Sequence, residues 1–218
     1  MWRRIAGAVL GCALLAAASR PLAWDAERMS QAAQRIGPRA AQSVRLLQPL
    51  IVTVADQDDE SRLVAVNQFF NRRVLFRDDA EVWGEHDHWA SPLETLDKGA
   101  GDCEDYAIAK YFTLVATGMP AAKLRLVYVR AQIGGPGGPA QAHMVLAYYG
   151  SPAAEPLILD NLIGDVRPAS RRPDLTPVFS FNTDGLWQGM GATAAGDPAA
   201  RLSRWRDVVA KARAEGFL

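Results

Sequence analysis

Gly99-Ala100-Gly101-Asp102-Cys103-Glu104-Asp105-Tyr106 runs directly into Ala107-Ile108-Ala109-Lys110-Tyr111-Phe112-Thr113-Leu114-Val115-Ala116-Thr117. The glycines predict a turn over residues 99–102. The stretch 103–117 predicts a strong helix, stopped by Gly118-Met119-Pro120. A thiol thus stands in the first turn of a helix. Unpaired N–H groups at a helix N-terminus favour a thiolate and lower the pKa of a cysteine placed there. Glycines ahead of it let another backbone approach closely.

Working outward, residues 124–132 alternate in the manner of a strand, and 134–139 is a Gly/Pro-rich hairpin connection. Residues 142–149 and 156–160 predict two further strands, with a loop over 161–173 and a last strand over 178–182. The Gly/Ala-rich stretch 189–198 is expected to be mobile, and 201–215 predicts a closing amphipathic helix. Upstream, residues 19–50 carry one or two helices broken at Gly37-Pro38. An amphipathic helix over 58–74 turns Leu63, Val66, Phe69, Phe70 and Val74 to one face. Residues 77–92 hold Trp83, His86, His88 and Trp89 and read as a charged, aromatic loop over the site. Helices, then a central helix, then an antiparallel sheet make the class α+β.

Two more positions join the thiol. His143 opens the strand Ala142-His143-Met144-Val145-Leu146, and Asp160 ends the next one in Leu157-Ile158-Leu159-Asp160-Asn161. Their separation of 17 positions suits two strands joined by a turn, with the pair side by side at one sheet edge. A histidine there can take the thiol proton and return it to a leaving amine. A neighbouring carboxylate can hold the useful tautomer. Each residue alone has a bland reading: a packed small thiol, a partly buried histidine, a turn-forming Asp-Asn. The ordered set Cys103, His143, Asp160 is what points to nucleophilic catalysis. The order Cys, His, Asp on helix, strand, strand is shared by papain-like and transglutaminase-like folds.

Asp102, Glu104 and Asp105 complicate this picture, because three carboxylates beside one thiol oppose its ionisation. Acids at a helix N-terminus also complement its dipole. A hard cation would neutralise the excess, and calcium prefers carboxylate oxygens. His86 and His88 flank Asp87 at a spacing that could bind zinc, but no further ligands of suitable spacing follow, and a polar loop is the better reading.

The chain has 218 residues, 49% of them hydrophobic, and equal numbers of basic and acidic side chains. That neutral balance gives no electrostatic reason for a nucleic-acid partner. Met1-Trp2-Arg3-Arg4, the apolar run from Ile5 to Ala18 and the small residues Ala16-Ala17-Ala18 have the three parts of a signal peptide. Cleavage after Ala18 is expected, with Ala23 the alternative, which leaves one domain from residue 19 to 218. Its N-terminal helices run to about 75, and its sheet-rich part starts near 120. Val9-Leu10-Gly11-Cys12 only faintly resembles a lipoprotein processing site. No later stretch is long and apolar enough to span a bilayer, so the expected location is the periplasm. Of the two cysteines, Cys12 lies in the leader and Cys103 is left without a disulfide partner.

Trp89-Ala90-Ser91-Pro92-Leu93-Glu94-Thr95-Leu96, the block from Gly99 to Tyr111, Ala142-His143-Met144-Val145-Leu146 and Leu159-Asp160-Asn161 together resemble the bacterial transglutaminase-like cysteine proteinases, and among them the LapG-type periplasmic proteases. The resemblance runs from about Asp58 to about Trp187. It implies a papain/transglutaminase-like fold with the nucleophile helix packed on an antiparallel sheet, and a catalytic Cys103, His143 and Asp160. It implies calcium dependence, with the ligands carried onto Asp102, Glu104 and Asp105. The implied substrate is the N-terminal region of a large surface adhesin, cut at a di-alanine site to release a biofilm. The implied partner is an inner-membrane cyclic di-GMP receptor that sequesters the protease. Ser91, where threonine is more usual, and the Gly/Pro-rich 134–139 segment depart from the pattern. Two rival functions fit the residues less well: an acyl transferase of transglutaminase type, and a non-catalytic periplasmic adaptor. Thr193-Ala194-Ala195-Gly196 resembles the family's own cleavage motif and raises self-cleavage or self-occlusion; an Ala/Gly-rich loop arising from composition is the plainer reading.

Overall fold

The computed structural model describes residues 24–135 and 137–218. The expected leader and Cys12 lie outside the described residues.

The first three helices begin as their sequences dictate. α1 (Ala26–Ile36) is capped by Asp25, whose carboxylate accepts the Arg28 N–H at 2.9 Å. Gly37 separates it from α2 (Pro38–Ala55), with Pro38 at the first helical position, where its missing N–H costs nothing. α3 (Asp59–Arg73) is capped by Asp58 and keeps Arg72 and Arg73 in its last turn. Leu63, Val66, Phe69, Phe70 and Val74 are all buried, as the periodicity requires.

A small parallel pair then steers the chain into the site. β1 (Leu75–Phe76) leads to the short helix α4 (Asp79–Val82) and on to α5 (Pro92–Lys98). Gly99 adopts the left-handed conformation at the end of α5, with φ of 62°. β2 (Ala100–Gly101) follows and pairs with β1. The expected turn over 99–102 is therefore one left-handed glycine and a two-residue strand. A strand that short carries no period, and its pairing partner lies far away in sequence.

α6 (Cys103–Ala116) is the central helix, and most of its side chains are buried. The sheet follows: β3 (Leu124–Gln132), β4 (Ala140–Tyr148), β5 (Leu157–Leu159), β6 (Arg167–Pro168), β7 (Leu175–Phe181), β8 (Leu186–Gln188) and β9 (Ala194–Gly196). Its order is β6-β5-β4-β3-β7-β8-β9, and each neighbouring pair is antiparallel. The chain closes with α7 (Pro198–Arg201) and α8 (Ser203–Ala214).

The expected loop over 161–173 contains β6 and a single 3-10 turn, Ala169–Arg171. The strand expected over 178–182 begins at Leu175 and is not the last. The stretch expected to be mobile carries β9, and the closing helix is divided at Leu202. These short strands are held by pairing, β6 with β5 and β9 with β8, rather than by any pattern of their own.

Leu124 and Leu126 of β3, Met144 and Leu146 of β4 and Leu159 of β5 join the main core with α6. Alternate residues Val127, Val129, Val145, Ala147 and Ile158 form a smaller cluster. Trp205 of α8 stacks on Phe112 of α6 at 5.5 Å, and its indole N–H donates to the Asn182 carbonyl at 3.1 Å. Burying side chains of this size stabilises by about 2–3 kcal/mol each, so α8 pins the rear of α6. Among the described residues, no helix is long and apolar enough to cross a membrane.

Candidate active site

The N-terminus of α6 is held from two sides. Asp105 accepts the Ala90 N–H at 2.8 Å through Oδ1, tying the Trp89-Ala90 segment to the helix. Gly101 has to be glycine: a Cβ there would lie 2.5 Å from Asp105 Oδ2 and 2.8 Å from its Cβ. Asp102 occupies the capping position without a side-chain cap bond. Cys103 is thereby presented at the first turn, partly buried and free of disulfide.

Cys103 and His143 line one cleft of about 350 Å³, together with Phe76, Trp89, Tyr128 and Phe179. His143 lies near the start of β4 and is only 5% exposed. Its Nε2 meets Asp160 Oδ1 at 2.8 Å, which leaves Nδ1 to serve the thiol. Asp160 follows β5 directly. Its Oδ1 also accepts the Leu162 N–H at 3.1 Å, and its Oδ2 accepts from Arg172 Nη2 at 2.7 Å. Burial works to raise the Asp160 carboxyl, but the His143 bond and charge, the Leu162 N–H and the Arg172 charge prevail and hold it at about 2. Asp160 is therefore ionised throughout the physiological range.

The Cys103 end is the reverse. The thiol donates to Glu104 Oε2 at 3.0 Å. Burial pushes the thiol well above its usual range, and Glu104 and Asp102 push further; a Met144 backbone N–H acts in the opposite direction. Burial and the charges of Glu104 and Asp105 raise Asp102 to about 10. Asp105 and Asp79 are also raised, burial being the largest cause for each.

Asp79 and Asp87 are the residues that sequence reasoning missed. One oxygen each of Asp79, Asp102 and Asp105 lie within 4.8 Å of one another, as do ligand atoms of Asp79, Asp87 and Glu104. Asp79 Oδ1, Asp102 Oδ1 and Asp105 Oδ2 are buried and have no hydrogen-bond partner. Unpaired carboxylate oxygens facing each other are costly unless a cation or protons intervene. The donor set, all carboxylate, fits a hard divalent ion such as calcium. The three acids expected to form a collar fall in overlapping clusters: Asp102 and Asp105 with Asp79, Glu104 with Asp79 and Asp87, and Asp102 and Glu104 beside Cys103. His86 and His88 are in none of these clusters among the described residues. His88 instead stacks on Trp83 at 4.1 Å and meets Glu85 at 3.1 Å.

Of the two tryptophans expected near the cleft, Trp89 lines it and Trp83 does not. Thr193-Ala194-Ala195-Gly196 enters β9, the outermost strand beside β8. Ala195 borders an apolar depression that shares Phe179 and Leu202 with the cleft. The motif thus flanks the cleft without lining it.

Comparison with known proteins gives a family model and several solved structures. A family model described as bacterial transglutaminase-like cysteine proteinase BTLCP matches residues 39–174. Three solved structures of Legionella pneumophila LapG are similar at 37% identity. The EGTA-treated form has a TM-score of 0.75, covering 86% of this chain and 97% of its own. The calcium-bound form has a TM-score of 0.72, covering 85% of this chain and 98% of its own. No curated protein matches the chain significantly.

Proposed function

The chain belongs to the bacterial transglutaminase-like cysteine proteinases, and we propose that it is a calcium-dependent periplasmic endopeptidase that cuts the N-terminal region of a large surface adhesin. The cut falls at a di-alanine site and governs attachment to and release from a biofilm. An inner-membrane receptor for cyclic di-GMP sequesters the enzyme. Cysteine protease activity follows from the family. The expected leader supports the periplasm, and the resemblance in the blocks around Cys103 supports the substrate and receptor.

The observation that carries the chemistry is the His143–Asp160 pair sharing a site with Cys103 at a helix start. His143 takes the thiol proton through Nδ1 while Asp160 fixes the ring through Nε2. Cys103 Sγ attacks the peptide carbonyl carbon, forming the C–S bond. His143 returns the proton to the departing amine, and the C–N bond breaks. Water, deprotonated by His143, then hydrolyses the thioester and frees the thiol. The Cys103 backbone N–H, in the unpaired first turn of α6, is a donor for the oxyanion.

Asp79, Asp102, Asp105 and Glu104, with Asp87 beside them, are the residues to hold calcium. The supporting observation is their buried, partnerless oxygens. The LapG structures exist in calcium-bound and EGTA-treated forms. When bound, the ion supplies the positive charge that offsets the carboxylates now holding the thiol protonated.

The test is cleavage of recombinant adhesin N-terminal regions by wild type and Cys103→Ala, with calcium or with EGTA. Cleavage by wild type in calcium alone is expected. Fragments made by Cys103→Ala would refute the mechanism, and undiminished cleavage in EGTA would refute the calcium requirement.

A further inference from the structure

We propose that Arg172 is a positioning residue of this site, a fourth member that holds Asp160 in the orientation from which it steers His143. The inference rests on the thiol-peptidase reading above. Arg172 follows the 3-10 turn Ala169–Arg171 and is only 3% exposed. Its Nη2 donates to Asp160 Oδ2 at 2.7 Å and to Asp174 Oδ2 at 2.8 Å, while its Nε donates to Asp174 Oδ1 at 3.0 Å.

Asp160 thus has both oxygens engaged, Oδ1 with His143 and the Leu162 N–H, Oδ2 with Arg172. The torsion that turns a carboxylate is broad and soft. Occupying both oxygens removes that freedom and aims Oδ1 at the imidazole. Asp174 in turn grips the guanidinium at two points, a geometry that needs arginine's planar fork. The charged or titratable groups facing Asp160 are His143 from β4, Lys110 from α6, Arg172 and, beyond it, Asp174. Lys110 acts on it through charge, whereas Arg172 adds a hydrogen bond, so Lys110 cannot supply the orientation. Burying a guanidinium is costly unless it is fully paired. A purely structural role would only tie the loop before β7 to the sheet.

The experiment compares wild type, Arg172→Met, Arg172→Lys and Cys103→Ala on a synthetic peptide with a Thr-Ala-Ala-Gly core in saturating calcium. Rates are expressed per folded protein, measured by near-ultraviolet circular dichroism, so that an unfolded fraction does not count. Arg172→Met is expected to lower kcat on the order of 10-fold to 100-fold, the scale for losing a group that orients a functional side chain, with KM little changed. The acid limb of its kcat profile should move to higher pH, because the hydrogen-bonded His143–Asp160 pair has lost a nearby cation that disfavours its protonation. Arg172→Lys retains that charge, so the limb should return to its wild-type position with kcat only partly recovered. Alkylation of Cys103 by iodoacetamide, read without peptide, should rank wild type above Arg172→Lys above Arg172→Met. A folded Arg172→Met with wild-type kcat, acid limb and alkylation rate overturns the proposal. If Arg172→Met does not fold, Arg172→Lys and Asp174→Asn decide: both should lose kcat with the limb in place, and wild-type kcat in both overturns it. Cleavage by Cys103→Ala would instead sink the underlying peptidase reading.

Discussion

On the His143 side of the cleft, Asp160, Arg172 and Asp174 alternate in charge, and His143 hydrogen-bonds the Asp160 carboxylate. On the Cys103 side, Asp79, Asp102 and Asp105 each point a buried oxygen at no partner. The same residue type is held at about 2 at Asp160 and raised to about 10 at Asp102. Both carboxylates are withdrawn from solvent, so burial alone does not set the outcome. Asp160 has an imidazole, a backbone N–H and a guanidinium; Asp102 has only other acids. One side is paired within the protein; on the other, three carboxylate oxygens are buried without a hydrogen-bond donor. The base is thus organised by the protein's own groups, whereas the nucleophile stands among carboxylates that oppose its ionisation.

The largest expected effects come from breaking the two sides separately. Cys103→Ala should lower peptide cleavage by on the order of 10³-fold or more. Asp160→Asn should lower kcat on the order of 10³-fold to 10⁴-fold at any calcium concentration, since it removes the group that orients the imidazole. Asp79→Asn should behave differently, shifting the calcium midpoint upward with kcat largely restored at high calcium. Titrating activity against calcium for each variant checks this. A changed calcium midpoint in Asp160→Asn would show that the two sides are one coupled unit.

A second, smaller effect is on stability. A ligand that binds only the folded state at about 100 times its Kd stabilises by ~2.7 kcal/mol. For a chain of this length that corresponds to a rise in Tm of roughly 5–10 °C. Thermal melts with calcium and with EGTA should show that shift in wild type and in His143→Ala, and lose most of it in Asp79→Asn. An equal shift in Asp79→Asn would remove Asp79 from the ligand set.

The comparison also explains what the sequence could disclose. α6, β3 and β4 are long enough to carry a period, and Cys103 and His143 are placed by them. Asp102, Glu104 and Asp105 were legible because they are contiguous. Asp79 was not, because β1 pairing with β2 is what brings it to Asp102, and two-residue strands leave no pattern. α5 had a signal that went unread: Ser91 and Glu94 form a capping box with Pro92 between them, a recognisable helix start. Arg172 sits in Arg171-Arg172-Pro173, which reads as an ordinary basic loop; only the fold shows that its guanidinium turns inward to Asp160.

Glu215 gives the smallest test and the sharpest one for the rule that donors outweigh burial. It is buried behind α5, and accepts the Ser91 hydroxyl and the Leu93 N–H. It thus has donors, as Asp160 does, but no cation close enough to dominate. Burial raises it to about 7 against an ordinary 4.5, with those two donors acting in the opposite direction. A carboxyl raised in the folded state contributes stability that is complete below pH 4.5 and is lost as pH rises through 7. The loss is at most ~3 kcal/mol. Glu215→Gln does not titrate, so the gap between wild type and variant in urea melts should shrink as pH rises across that window. Saturating calcium should be present, because at the proposed site it would neutralise the acidic collar, whose slope has the same sign. A gap that stays constant would mean that two neutral donors suffice to keep a buried carboxylate ionised. The difference between Asp160 and Asp102 would then be one of hydrogen bonds, and Arg172 would matter to Asp160 for its geometry more than for its charge.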